Sequence, residues 1–180
     1  MEGKLQRVLL IFTLHIPTLV FGQACLQNGI TLSSQQDVDL FKSFYPNCVE
    51  IQGDLCINGF GISNLDSLIT LEKVGQNIYI GNTSLTDLTG LNSLTEIGGQ
   101  LFMEYNNQFV SFVGLDQFTN LGSDLVIRNH PLLNDLNNLN GLTNIDNLSF
   151  NNCDMLTDLS GLKSLNTIGS LTFSKMYYIL

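Results

Sequence analysis

Leu85-Thr86-Asp87-Leu88-Thr89-Gly90-Leu91-Asn92-Ser93-Leu94-Thr95-Glu96-Ile97-Gly98 carries an aliphatic residue at every third position, five in a row. In an α-helix a step of three falls about 60° short of a full turn, so five such residues wind around the cylinder instead of sharing one buried face. A strand inverts its side chains at each residue and sends alternate members of the set to opposite sides. A backbone with three residues per turn, 3₁₀ or polyproline-like, keeps all five inward.

The set recurs on both sides of this stretch. Leu65, Leu68, Leu71 and Val74 precede it; Phe109, Phe112, Leu115, Phe118 and Leu121 follow, then Leu133, Leu136, Leu139, Leu142 and Ile145, then Leu156, Leu159, Leu162, Leu165 and Ile168. Between the sets stand apolar-x-apolar triplets, Leu55/Ile57, Ile78/Ile80, Leu101/Met103, Leu125/Ile127, Leu148/Phe150 and Leu171/Phe173, whose first members step by 23, 23, 24, 23 and 23 residues. A fixed period of this size marks a repeat architecture. Each period reads as one short strand bearing the triplet and a chain of tight turns leading to the next, so the fold is a parallel repeat solenoid. Gly75, Gly98, Gly122 and Gly169 stand where the chain bends into the next strand, and Asn82, Asn129 and Asn152, with Asn106 one place later in its unit, are placed to bridge neighbouring coils through side-chain bonds.

A solenoid needs its ends covered. Ser33 and Gln36 have capping-box spacing, Val38, Phe41 and Phe44 or Tyr45 follow at helical spacing, and Pro46 stops the run, which predicts a short helix over Ser34 to Phe44 lying across the first coil. Cys25 and Cys48 flank that helix, and a disulfide between them contributes about 3 kcal/mol by loop entropy. Cys56 and Cys153 sit on coils four steps apart, roughly 20 Å at strand spacing, and are expected to be free thiols. Ahead of the cap, Lys4 and Arg7, the apolar run Val8 to Phe21 and the small or polar Gly22, Gln23 and Ala24 have the order of a secretory signal peptide, with cleavage after Gly22 or Ala24. The run of fourteen residues reaches about 21 Å as a helix, short of a bilayer core, which argues against a signal anchor. Cys25 stands where a lipid-modified Cys would, but Gly22 and Gln23 suit such a site poorly. The chain thus divides into residues 1–24 as signal peptide, 25–52 as a disulfide-linked cap and 53–180 as a solenoid whose C-terminal end, running to Tyr177, Tyr178, Ile179 and Leu180, is uncapped and open to edge-to-edge self-association or to further coils.

Cys48-Val49-Glu50-Ile51-Gln52-Gly53-Asp54-Leu55-Cys56-Ile57, after a helix bracketed by an earlier Cys, resembles the opening of the receptor L domain family, which includes ligand-binding modules of the insulin and epidermal growth factor receptors. The later units are most similar to the branch of that family found in exported bacterial surface proteins. The resemblance spans Cys25 to about Phe173 and implies an extracellular recognition module built as a leucine-rich-repeat-like, right-handed β-helix of parallel strands.

Charge narrows the partners. The full chain of 180 residues has a net charge of −9, and removing Glu2, Lys4 and Arg7 from 16 acidic and 7 basic residues leaves 15 against 5, or −10. Nucleic acid, which needs a basic footprint, is excluded, and an anionic membrane surface is disfavoured. The middle residue of each triplet points away from the core: Cys56, Tyr79, Phe102, Val126, Ser149 and Thr172. Tyr79, Phe102 and Val126 on successive rungs form an apolar stripe, with Glu104 and Arg128 beside it and Tyr105 at its edge, which suits an extracellular protein or glycan partner. Asp87, Asp135 and Asp158, with Ser111 in the matching place, read as turn caps because single carboxylates per coil lack the oxygen cluster Ca²⁺ takes. His130, ahead of Pro131, reads as a loop residue. Asn82-Thr83-Ser84 and Asn147-Leu148-Ser149 match the glycosylation acceptor of a eukaryotic secretory host. No cofactor or metal is implied. The cations Lys42, Lys73, Arg128, Lys163 and Lys175 are scattered over different coils, and no HExxH, GxSxG or phosphate loop is present, so an enzyme is not expected. The expectation is a secreted or cell-surface recognition and adhesion module; the alternative is a structural envelope or matrix protein assembling end to end.

Overall fold

A computed structural model describes residues 23–176. The expected signal segment up to Gly22 and residues 177–180 lie outside the described residues. In chain order the elements are β1 (Gln23–Cys25), β2 (Ile30–Leu32), helix α1 (Gln35–Phe44), β3 (Cys48–Ile51), β4 (Leu55–Asn58), β5 (Lys73–Val74), β6 (Ile78–Gly81), β7 (Glu96–Ile97), β8 (Leu101–Glu104), β9 (Asn120–Leu121), β10 (Leu125–Arg128), β11 (Asn144–Asn151) and β12 (Thr167–Ser174). All pair in parallel, in two sheets. Seven strands run in the order β12-β11-β10-β8-β6-β4-β2, and five in the order β1-β3-β5-β7-β9.

The triplet strands are where the sequence puts them. The five-strand sheet is a departure from the expected one strand per coil. It lies at the end of each run of three-spaced leucines, as Lys73–Val74, Glu96–Ile97 and Asn120–Leu121. Through Leu121 the last residue of the run stands four places before the next triplet, and a glycine turns the corner; at Ile145 and Ile168 the interval is three. With one residue fewer, the corner straightens, and β11 and β12 run through it as eight-residue strands. The corner glycines are required by close approach: a Cβ on Gly98 would collide with the Gly75 carbonyl oxygen, and one on Gly122 with that of Gly98.

The three-spaced residues do turn inward on a three-residue backbone. Leu68 N–H donates to Leu65 C=O, Leu71 to Leu68, Leu91 to Leu88 and Leu94 to Leu91, each spanning three residues at 2.8–2.9 Å. Leu85, Leu88, Leu91, Leu94 and Ile97 are all buried, together with both members of the triplets from Leu55 to Phe150. The last described coil is the exception: Ile168 is 40% and Leu171 48% exposed.

At the other end, Val38 and Phe41 of α1 are buried, and the helix packs against β2 and the 3₁₀ turn Asp66–Leu68. Its cap is shifted by one residue from the expected Ser33/Gln36 pair. Ser34 is the N-cap, its hydroxyl accepting from Asp37 N–H at 3.2 Å, while the Asp37 carboxylate accepts from Ser33 N–H at 2.9 Å. The Ser33 amide, and after it the Ser34 hydroxyl, hold Asp37 below the usual carboxylate range. Gln36 is left free by a geometry that puts the acid, not the amide, in the third position. Tyr45 packs on Phe41 with ring centroids 5.3 Å apart, and Phe44 is 69% exposed, so of the two aromatics it is Tyr45 that faces inward. Cys25 and Cys48 form a disulfide between β1 and β3 with Cα atoms 5.6 Å apart, and Cys56 and Cys153 are free thiols. Gln23 and Ala24, assigned from the sequence to the leader, belong to β1.

Candidate binding face

Parallel register stacks the middle residues of the triplets into one column on the outside of the seven-strand sheet. Cys56 pairs with Tyr79, Tyr79 with Phe102, Phe102 with Val126, Val126 with Ser149 and Ser149 with Thr172. Tyr79 and Phe102 stack with centroids 5.6 Å apart and planes within 14°. The Arg128 guanidinium lies over the Phe102 ring, 5.2 Å from its centroid. Tyr79 Oη–H donates to Glu104 Oε1 at 2.9 Å. Partial burial, followed by that bond and the negative charge of Glu104, pushes the Tyr79 phenol up to about 12. Five of the six residues read from the sequence as site residues therefore converge as one surface cluster, Tyr105 adjoining it in the chain after Glu104. Val126 belongs to the column but is only 9% exposed; it serves as floor, and the expected stripe of three exposed apolar residues is shortened to two.

Tyr105 occupies an unusual backbone site. It follows β8 with φ +56°, at the position filled by Asn82, Asn129, Asn152 and Lys175 in other coils, all with φ between 52° and 58°. Asn tolerates this left-handed conformation through local hydrogen bonding; a tyrosine is held there at a cost of about 1–2 kcal/mol. Its ring is 49% exposed. Strain of this kind persists where surrounding structure enforces it, and such positions cluster at functional surfaces.

A residue that sequence reasoning missed lies under the stack. The last position of the triplet strand carries Asn58, Gly81, Glu104, Arg128, Asn151 and Ser174 in successive coils. Gly81 alone lacks a side chain, and a Cβ there would run into the Tyr79 ring, meeting Cζ at 2.7 Å and Cε1 at 2.9 Å. The Tyr79 ring is laid along its own strand over Gly81. The break in that column of polar residues was the available signal.

Past the ends of these strands is a buried polar ladder. Thr83, Asn106 and His130 are buried one place beyond the left-handed column; His130 follows β10 in a loop, as expected, and its ring is turned inward. Asn106 Oδ1 accepts from Thr83 N–H at 2.9 Å and from its hydroxyl at 2.7 Å, and Asn106 Nδ2 donates to Ile80 C=O at 2.9 Å. His130 Nδ1 lies 2.8 Å from the Arg128 carbonyl, which can only accept, so Nδ1 carries the proton and Nε2 accepts from Asn106 Nδ2 at 3.1 Å. Burial pushes the imidazole down to about 4. The Arg128 carbonyl also accepts from Tyr105 N–H at 3.1 Å, so the same oxygen anchors the strained turn and the buried ring.

The other candidates are structural. Asp87, Asp135 and Asp158 each accept from the backbone N–H two residues on, at 2.9, 2.7 and 2.6 Å. Among the described residues no three His, Cys, Asp or Glu side chains group as a metal site, and no helix is long and apolar enough to cross a membrane. Burial raises both free thiols, Cys153 to about 11, which keeps them protonated and weakly nucleophilic. The side chain of Asn82 is bonded to Asn58 Oδ1 at 3.1 Å and that of Asn147 to Asp124 Oδ1 at 2.7 Å, occupying the amides of both glycosylation motifs. The one ion pair among the described residues is Lys73–Glu96 at 2.9 Å, which leaves Arg128 with no carboxylate partner.

A family model described as the BspA type Leucine rich repeat region matches residues 49–179 in six copies, the number of triplets in the chain. No curated protein and no solved structure matches.

Proposed function

The chain belongs to the BspA-type leucine-rich repeat family, a repeat type suited to protein interaction or surface function, and from that premise we propose that it is a non-catalytic recognition module displayed outside the cell. The leader-like order of residues 1–24 and the Cys25–Cys48 disulfide, a bond of oxidising compartments, support export. The narrower kinship with receptor L domains, the right-handed coil and the role of α1 as an end cap belong to the same reading.

The observation that carries the function is the cluster of Tyr79, Phe102, Glu104 and Arg128: two stacked aromatics, a guanidinium without a carboxylate and a carboxylate engaged on one oxygen, held on a rigid sheet. Aromatic and Arg side chains dominate the energetics of protein interfaces, and a prearranged cluster loses little entropy on binding. The test is affinity capture from the cell surface and its extracellular matrix with the chain from Gln23 onward, against Tyr79→Ala/Phe102→Ala. Partners retained by the parent and lost by the folded double variant support the face; undiminished capture removes it.

The exposed Ile168 and Leu171 of the final coil favour a second reading, end-to-end assembly. Light scattering over a hundredfold dilution then shows reversible oligomers that Leu171→Lys dissociates. A monomer at every concentration rejects this reading.

A further inference from the structure

The outer column steps up in size over three neighbouring rungs: Thr31 on the edge strand β2, Cys56 on β4 and Tyr79 on β6. Tyr79 is thus the first ring of the column, and its two faces differ. One is turned to Phe102 in an offset, nearly parallel stack. On the other side, the Cys56 rung offers only a short thiol and the amide of Asn58, whose Oδ1 accepts from Asn82 Nδ2 past the strand end. Among the described residues no further ring and no guanidinium lies against that face.

The far end of the same stack carries a cation. The Arg128 guanidinium lies over Phe102, 5.2 Å from the ring centroid, with no carboxylate paired to it among the described residues. A guanidinium is planar and weakly hydrated, so it spreads over a π face better than an ammonium does. The Tyr79 face is the richer of the two for a cation. Its hydroxyl donates to the Glu104 carboxylate at 2.9 Å, and a hydrogen bond to an anion polarises electron density into the ring.

Charge selects the sign of the occupant. The strands Ile30–Leu32, Leu55–Asn58 and Ile78–Gly81 carry no Lys or Arg. Asp54, at the head of the Cys56 rung, accepts from Asn77 N–H and Nδ2 on Oδ1, both at 2.9 Å, and lines a cavity of about 290 Å³ with Asn28, Thr31 and Cys56. The full chain has a net charge of −9. An anionic segment is repelled by this surface and a cationic one is drawn to it. A neutral sugar gains from the ring alone, whereas an arginine gains from the ring and the field together.

We infer that the uncovered face of Tyr79 is a subsite for an arginine side chain of a partner protein, seated over Cys56 with its guanidinium parallel to the ring. Asp54, about 7 Å along the strand from Cys56, is placed to meet a second donor of the same segment. This rests on the outer sheet face being the recognition surface, and it deepens that reading by naming the side chain captured.

The experiment uses the full chain with ¹³C-labelled aromatic rings and hexapeptides that alternate glycine with arginine, lysine, citrulline or aspartate. The arginine peptide is expected to shift the Tyr79 ring resonances saturably, and its Hδ protons to show nuclear Overhauser contacts to that ring. The lysine peptide, equal in charge, binds more weakly. Citrulline, which keeps the shape of arginine without its charge, leaves Tyr79 unmoved, as do aspartate and maltohexaose. Tyr79→Leu keeps the net charge and weakens the arginine peptide by about threefold to fivefold, the effect of one exposed cation–π contact. The Overhauser contact is read in the parent, so the test stands whether or not the variant folds. No response to the arginine peptide, affinity undiminished in a folded Tyr79→Leu, an equal response to lysine or citrulline, or a saturable response to maltohexaose overturns the inference. Failure of the surface itself is read separately: Tyr79→Ala/Phe102→Ala then loses no captured partner. If the surface stands and this inference fails, partners are lost in that double variant but the arginine peptide does not displace them from the parent.

Discussion

The two faces of β6, β8 and β10 differ in how they use the repeat. The inner face reads Ile78/Ile80, Leu101/Met103 and Leu125/Ile127, six aliphatic or thioether side chains at most 1% exposed and interchangeable in kind. The outer face reads Tyr79/Gly81, Phe102/Glu104 and Val126/Arg128, in which no rung repeats the one before. The inner face obeys the period because every coil must fill the same cross-section at crystal-like density. Where the outer face departs from the period, packing does not demand the departure, and the recognition role proposed above would account for it.

The widest test of that contrast is a pair of truncations on one strand. Leu101→Ala empties a fully buried site and is expected to lower unfolding free energy by about 4 kcal/mol, whereas Phe102→Ala, one residue away on the half-buried side, lowers it by about 1 kcal/mol. Urea unfolding followed by circular dichroism measures both, and equal losses would erase the distinction between the faces. The polar ladder inside gives the next largest effect. His130 is pushed down to about 4 from an ordinary value near 6.5, so the unfolded chain takes up a proton that the folded chain refuses. Stability is complete above about pH 6.5, falls as pH drops, and has lost about 3 kcal/mol by pH 4. His130→Gln is expected to flatten that slope in urea titrations across pH 4–7. Asp37 and Asp158, both held low, act in the same sense at lower pH: their contributions are full above the ordinary carboxylate value and are lost as pH falls below it.

Tyr105→Asn should stabilise the chain by about 1 kcal/mol, because it restores the residue that three other coils use at φ near +55°. The melting temperature rises, and captured partners diminish. A variant that gains stability and keeps full binding would show that the strain serves nothing on this surface. The smallest effect is on Glu104→Gln, which leaves the fold within about 0.5 kcal/mol and lowers the Tyr79 titration by removing the charge that its hydroxyl meets.

The solenoid was legible because a three-residue spacing is incompatible with helix and strand alike, so Leu85 to Ile97 admitted one backbone. The five-strand sheet was not: Lys73–Val74 and Glu96–Ile97 are two residues long, too short for alternation to register, and exist through the ladder with adjacent coils. The cap was placed within one residue, since Ser33 and Ser34 both satisfy the spacing rule and only the position of Asp37 decides between them. Tyr79, Phe102, Glu104 and Arg128 followed from the triplets, but whether the rings stack, and what lies beneath them, depends on rotamers that no spacing encodes. The loop position of His130 was legible from Pro131 but its burial was not, although its alignment five places after Leu125 with Asn106 after Leu101 and Thr83 after Ile78 was a signal for it.

The carbonyl of Arg128 serves two donors, the Tyr105 amide and the His130 Nδ1–H. A charged imidazole still donates from Nδ1, so acid leaves that latch fastened. It abolishes the lone pair on Nε2, and with it the only link from this ring to Asn106 in the preceding coil. Acidification therefore cuts one buried side-chain tie between neighbouring coils, past the ends of the strands that carry the aromatic pair, while the Tyr105 amide keeps its hold on the same carbonyl.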